Sequence, residues 1–266
     1  MVEQISMTGV NKTLYIPLYG KALVSRRGLF IKDEDAERIW ADASFPLKGK
    51  ARSKWLAYYM GIRAAVFDKW VKERASENQD AVIIHIGAGL DSRFKRCGVE
   101  NAWYDVDFPE VIEERRKYFT EGDGYGMIAS DIRREGWLDE ICESKTAIVV
   151  MEGVAMYLSN EERELLIARL GERFSSIYLL MDFYTPFGAR MSKRRNPVNT
   201  VGVSEVWGIG VPESVGCGVF NEAVEKEMTP RCCIDELRGV EKFVFKTLYA
   251  GGISKKIYKL FEYKRT

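Results

Sequence analysis

An α/β fold built on a largely parallel, doubly wound sheet is predicted for this 266-residue chain by three observations. From Ala81 onward, short apolar runs suited to buried strands alternate with helical patterns. The first of those runs, AVIIHI, breaks directly into the glycine turn GAG. Towards the C-terminus the pattern changes to alternation, which suits an antiparallel pair closing the sheet.

The first 80 or so residues read as mostly helical. In KARSKWLAYYMGIRAAVFDKW, residues Trp55, Tyr59, Ile62, Val66 and Trp70 recur at helical spacing and are expected to face the core, with Arg63 at the edge of the stripe. The strands that follow read AVIIHI, AWYDV, GMIAS, KTAIVVM and IYLLMDF, with helices expected near Asp107 to Phe119, Arg133 to Glu143 and Asn160 to Phe174. Ser159 with Glu162 three positions on forms a capping box that marks where the last of these helices begins. Between Pro186 and Cys217 the chain turns polar and is expected to pass over the mouth of the sheet as a lid. From Thr229 the order is threonine, proline, helix and Gly239, an N-cap, first-position proline and glycine stop. KFVFKTLY and KKIYKLFEY, separated by AGGIS, read as a hairpin or adjacent antiparallel pair. The expected organisation is a helical extension over 1–80 and a sheet domain over 81–266, integrated as one domain.

Composition removes several function classes. The 40 basic and 39 acidic residues nearly cancel, so no global field draws the chain to nucleic acid. Nowhere do about 18 apolar residues stand together, and no signal-like leader opens the sequence, so no membrane association and a cytoplasmic location are expected. The five cysteines are scattered and lack a C-x-x-C pair, which suits free thiols rather than disulfides or zinc. There is one histidine, His85, placed mid-strand where a hydrogen-bonded structural role is expected. Histidine triads, histidine metal clusters and histidine bases must therefore use this residue or be absent.

The carboxyl ends of four strands carry candidate site residues. Gly87 and Gly89 open backbone N–H groups to a ligand, although a third glycine near Ser92, as a dinucleotide fingerprint requires, is missing. The second strand ends in YDVD, where Asp105 or Asp107 would accept the hydroxyls of a ribose. Spacing alone leaves both open, and an N-cap for the following helix is the alternative role for either, Asp107 in particular. The third strand ends at Asp131-Ile132, able to receive an adenine, and the fourth at Glu152. In an open α/β sheet these ends line one crevice, so their coincidence points to a site.

IGAGLDSRF, WYDVDFPEVIEERRKYF, SDIR and VVMEGVAMYLS, in that order and with TLYIPLYGKALVSRR before them, resemble the leucine carboxyl methyltransferase family and its bacterial relatives, including the tetracenomycin-type polyketide O-methyltransferases. The resemblance implies a class I fold with a seven-stranded sheet that binds S-adenosylmethionine. By position it implies Gly87 and Gly89 near the methionine part of the cofactor, Asp107 on the ribose and Asp131 and Ile132 at the adenine, with Asp91 also among the cofactor-binding residues. Arg63 and Lys21 would meet the cofactor carboxylate, and Glu152 the amino end or methyl centre. His85 departs from the family, which usually has a small polar residue there.

A carboxylate acceptor, from a small molecule or a peptide C-terminus, is ionised at neutral pH and needs no base. A phenol needs help, for which Glu152, or Asp182 and Tyr184, would be the available groups. The basic cluster Arg190, Lys193, Arg194 and Arg195 in the lid region would attract an acidic acceptor. The rival readings are a cofactor-binding module without catalysis and a nicotinamide dehydrogenase. Against the dehydrogenase stand the missing glycine and the antiparallel C-terminal strands.

Overall fold

The computed structural model describes residues 12–43, 45–195 and 206–266, apart from the side chains of 193–195 and 253. Three helices come first: α1 (Tyr15–Arg26), α2 (Glu34–Ala43) and α3 (Lys54–Glu77). They lead into β1 (Val82–Ile86), α4 (Arg93–Cys97), β2 (Trp103–Asp107), α5 (Pro109–Arg115), β3 (Tyr125–Ala129) and β4 (Thr146–Met151). Next come α6 (Asn160–Arg173), β5 (Ser176–Tyr184), α7 (Pro186–Arg195), β6 (Glu222–Lys226), α8 (Arg231–Glu236) and α9 (Gly239–Val244). A π-helical turn (Phe245–Tyr249), α10 (Gly252–Ile257) and β7 (Tyr258–Arg265) close the chain.

The sheet has seven strands in the order β3-β2-β1-β4-β5-β7-β6. The first five are mutually parallel, and β7 runs antiparallel between β5 and β6. Chain order reverses between β1 and β4, and that switch point is where an open α/β sheet leaves a crevice beyond its carboxyl ends. Alternate residues of the buried strands serve two cores. Ile84, Ile86, Val149, Met151 and Leu179 pack with Leu166, Ile167 and Leu170 of α6. On the other face Ile83, Ile148, Val150 and Leu180 pack with Phe67, Trp70 and Val71 of α3. The helices α1 and α2 bury Tyr15, Leu18, Ala36 and Ile39 in a cluster that includes Leu90 of the glycine turn and Ile112 of α5. They therefore lie over the carboxyl end of the sheet.

The capping box at α6 is present in full, Ser159 accepting from Glu162 N–H and Glu162 from Ser159 N–H. The expected core stripe of α3 is partly realised, with Ile62 and Trp70 buried and Trp55, Tyr59 and Val66 half-buried.

Three expectations are corrected. KFVFKTLY is not a strand: α9 and the π-helical turn occupy it, and the partner of β7 is EAVEK, a charged edge strand. The apolar alternation of residues 242–249 instead places Phe245 in a core with Tyr58 and Leu237 while Phe243 stays exposed. Between Arg133 and Glu143 there is a single 3₁₀ turn, Trp137–Glu140, because one turn suffices to bury Trp137 and Leu138. At Thr229 the cap role passes to Pro230, the threonine hydroxyl donating instead to Tyr249 C=O at 3.3 Å, and Gly239 opens α9. Among the described residues no helix is long and apolar enough to cross a membrane. Of the basic cluster Arg190 is exposed on α7, while the side chains of Lys193, Arg194 and Arg195 lie outside the described residues.

Candidate functional site

The crevice at the switch point opens into a cavity of about 930 Å³. It is lined by Lys21, Arg63, Gly87, Gly89, Asp91, Asp107, Asp131, Ile132, Glu152 and Tyr184, residues that the sequence spreads over more than 160 positions. The fold thus brings ten of the eleven sequence-predicted site residues onto one wall system.

The glycine turn forms the upper edge of the site. Gly87 has φ +69° and its N–H donates to Val106 C=O at 2.8 Å, which ties the end of β1 to β2. A methyl group on Gly87 would collide with Cγ2 of Val154, so only glycine passes there without displacement. Gly89, φ +52°, donates its N–H to Asp107 Oδ2 at 2.7 Å. The other oxygen of Asp107 accepts from Phe108 N–H at 2.8 Å. Burial raises the Asp107 carboxyl to about 6 against the lowering influence of those two N–H donors. Two backbone donors use two of its roughly four lone-pair positions, and Asp107 lines the cavity with acceptor capacity to spare.

The floor is ionic. Glu152, at the end of β4, is held on one oxygen by Arg63 Nε at 2.9 Å and on the other by Arg93 Nη2. Burial opposes its ionisation, but Arg93 and Arg63 outweigh it and hold the carboxyl at about 2. Arg63 also donates to Asp182 Oδ2 at 3.3 Å, and Asp182 accepts Gly153 N–H at 2.6 Å. Lys21 of α1 pairs with Asp91 at 2.6 Å, and Asp91 also pairs with Arg96 at the same distance. Burial raises Asp91 but Arg96, Lys21 and Arg93 carry it well below the carboxylate range. The floor therefore offers fixed charges of both signs, all held in place by one another.

Above the floor stand phenol rings. Tyr184 meets Tyr258 edge to face with centroids 4.8 Å apart, and Tyr59 meets Tyr249 at 5.6 Å. These four and Tyr157 line the cavity with Met156, Leu248 and Ile257. Burial pushes the hydroxyls of Tyr59, Tyr249 and Tyr258 up, and Tyr157 to about 12. At the β3 end, Ile132 is half-buried and Asp131 is clasped by Arg133, whose hydrogen bonds lower the carboxyl.

Asp105 is the exception among the predicted residues. It lies wholly buried beneath the sheet end and does not line the cavity. Its carboxylate is consumed by the Arg115 guanidinium, by Tyr125 Oη at 2.7 Å, by Trp103 Nε1 at 2.9 Å and by His85. That leaves it no exposed lone pair for a ribose. The structural role expected of His85 is met, since both ring nitrogens have partners at 3.1 Å, Asp105 and Arg93.

Sequence reasoning missed Arg93 and the tyrosine ring. Arg93 stands inside the LDSRF motif, and a fully buried arginine among Asp68, Asp91 and Glu152 has no periodicity to announce it. Tyr59, Tyr157, Tyr249 and Tyr258 come from α3, the β4 exit, the π-helical turn and β7, so topology alone unites them. Asp182, weighed beside Tyr184 as an aid to a phenol, is wholly buried behind Arg63 and does not face the cavity.

The sequence profile of the leucine carboxyl methyltransferase family matches residues 11–171. The chain is 30% identical over 249 residues to the tetracenomycin polyketide synthesis O-methyltransferase TcmP of Streptomyces glaucescens, covering 92% of each. In three dimensions it is similar to a DUF574 family protein from Streptomyces avermitilis, with a TM-score of 0.57, 13% identity, and 92% and 96% of the two chains covered. A protein from Thermobifida fusca described as a candidate methyltransferase gives a TM-score of 0.54 at 14% identity, with 93% and 94% covered. At such identities the two structural likenesses concern the fold.

Proposed function

The chain belongs to the leucine carboxyl methyltransferase family, and on that premise we propose that this S-adenosylmethionine-dependent methyltransferase transfers its methyl group to the oxygen of a carboxylate. The residues lining the cavity fit the cofactor. A cavity-lining carboxylate with acceptor capacity to spare, Asp107, suits a ribose diol. Gly87 and Gly89 allow close approach at the turn, and Ile132 offers an apolar wall for a purine next to Asp131. The paired charges Arg63 with Glu152 and Lys21 with Asp91 suit a zwitterionic amino-acid end. Arg63 is already engaged by Glu152 and Asp182, so an incoming carboxylate shares it with them.

The bound cofactor supplies an electrophilic methyl on a sulfonium. The protein's own contribution is positioning and water exclusion. The tyrosines and Met156, Leu248 and Ile257 shape the acceptor side.

One observation carries the carboxylate reading: Glu152, which lines the cavity with the tyrosines, is not set to take a proton near neutral pH. Glu152 is held at about 2 between two arginines, Asp182 is raised by burial and bonded to Tyr258 but lies behind Arg63 and does not line the cavity, and the tyrosines with raised hydroxyls resist ionisation. A weak base is a poor acceptor of a phenolic proton near pKa 10, whereas a carboxylate is a nucleophile as it stands. TcmP is an O-methyltransferase of polyketide synthesis, which supports an oxygen acceptor on a small molecule here. The test is methyl-labelled cofactor with size-matched aromatic acids and phenols, followed by mild alkali. Label released as methanol identifies an ester, and alkali-stable label on a phenol overturns the reading.

A further inference from the structure

His85 is the single histidine of the chain, and the sheet register fixes what it can reach. It pairs with Asp105 across β1 and β2, so the two side chains rise on the same face of the sheet. His85 Nδ1 stands 3.1 Å from Asp105 Oδ1, and Nε2 stands 3.1 Å from Arg93 Nη1. An arginine only donates, so Nε2 must be the accepting nitrogen and the ring proton must sit on Nδ1, donated to Asp105. Asp105 is itself immobilised by Arg115, Tyr125 and Trp103. From the other side, Arg93 grips Asp68 at 2.7 Å through Nε and Glu152 through Nη2.

We propose that His85 is a positioning residue for the cofactor-binding floor: a neutral imidazole, anchored by Asp105, that fixes the Arg93 guanidinium and through it the carboxylate of Glu152. The inference rests on the assignment of this cavity to the cofactor. Asp105, His85 and Arg93 are buried, so a lost partner among them leaves a buried polar group unpaired, while Glu152 at the end of the chain meets the cavity. The order of partners parallels the way an acid, a histidine and a third group are arranged where a histidine must hold one tautomer. Burial and the adjacent Arg93 both disfavour a second proton on the ring, more than Asp105 and Asp91 favour it. Arg93 also lies over the Phe67 ring at 5.4 Å, and His85 supplies the partner of its remaining terminal nitrogen, Nη1.

Since there is one histidine, ¹⁵N labelling of that residue type gives a spectrum with one imidazole. The expected result near neutral pH is a neutral ring protonated on Nδ1, with the Nε2 resonance shifting when S-adenosylhomocysteine is added. A proton on Nε2, a doubly protonated ring, or no response to bound S-adenosylhomocysteine overturns the proposal. In parallel, His85→Gln keeps an acceptor for Arg93 and a donor for Asp105, whereas His85→Leu keeps neither. Affinity for S-adenosylhomocysteine is expected to fall about tenfold or more in the leucine variant, and within about threefold in the glutamine variant, with acceptor KM unchanged in both. Equal losses in the two variants, or a loss confined to acceptor KM, contradict it. If His85→Leu does not fold, the spectrum of the unaltered protein still decides. If the unaltered protein fails to bind S-adenosylhomocysteine, the cofactor assignment itself falls, while the tautomer remains a separate result.

Discussion

Asp105 and Asp107 stand two residues apart on one strand, and the fold gives them opposite fates. Asp105 lies level with His85 and is enclosed by Arg115 and Tyr125, while Asp107 lies one pair beyond the end of β1, where the glycine turn leaves space. Spacing cannot separate residues on the same side of a strand, so the distinction waited on where β1 stops. Asp105→Asn is expected to leave Arg115 buried beside a neutral amide and cost roughly 3 kcal/mol of stability in denaturant titration. Asp107→Asn should instead cost only about 1 kcal/mol, since its amide nitrogen cannot accept from one of the two backbone N–H groups, and abolish measurable S-adenosylhomocysteine binding by calorimetry. Ribose hydroxyls donate to the carboxylate, so binding favours its ionised form. Affinity should therefore be flat above the Asp107 value of about 6 and fall as pH drops through it, approaching tenfold per unit. A profile without an inflection near there speaks against Asp107 as the ribose acceptor. Most of the pocket's acids were legible because strand ends are legible. Arg93 was not, since a buried charge is specified by its partners rather than by a pattern.

At the scale of elements, the turn after β1 is the most constrained feature of the site. Gly87→Ala combines a positive φ with a collision against Val154 and is expected to lower stability by about 1–3 kcal/mol and to weaken cofactor binding together. Adding Val154→Ala should relieve the collision but not the backbone strain, so thermal unfolding of the double variant should recover only part of the loss. Ser159→Ala, which removes one half of the α6 capping box, should cost about 1 kcal/mol and leave S-adenosylhomocysteine affinity unchanged. The buried parallel strands were readable as continuous apolar runs, and α6 by its cap. The antiparallel partner of β7 was not, because an edge strand protected by charge, EAVEK, carries little alternation. KFVFKTLY offered the stronger alternating signal, and tertiary packing of Phe245 beside Trp55, Tyr58 and Tyr249 made it helical.

Across the whole molecule, the cavity is assembled from both ends of the chain: Lys21 and Arg63 from the first helices, Tyr249 and Tyr258 from the last segments, and the sheet between them. The parallel fold and its switch point followed from the alternation of strands and helices, whereas the acceptor wall depended on long-range topology that no local pattern encodes. This cavity, with Asp107 on its nucleoside side, is proposed as the S-adenosylmethionine site. The most direct test is thermal unfolding of the full chain with S-adenosylhomocysteine, with S-adenosylmethionine and with NAD, repeated on Asp107→Ala. At about a hundred times its dissociation constant a ligand adds roughly 2.7 kcal/mol, an easily read rise in Tm. Stabilisation by the two adenosyl-sulfur ligands alone, lost in the variant, is the predicted result. Stabilisation by NAD alone, or adenosyl-sulfur binding indifferent to Asp107, would contradict it.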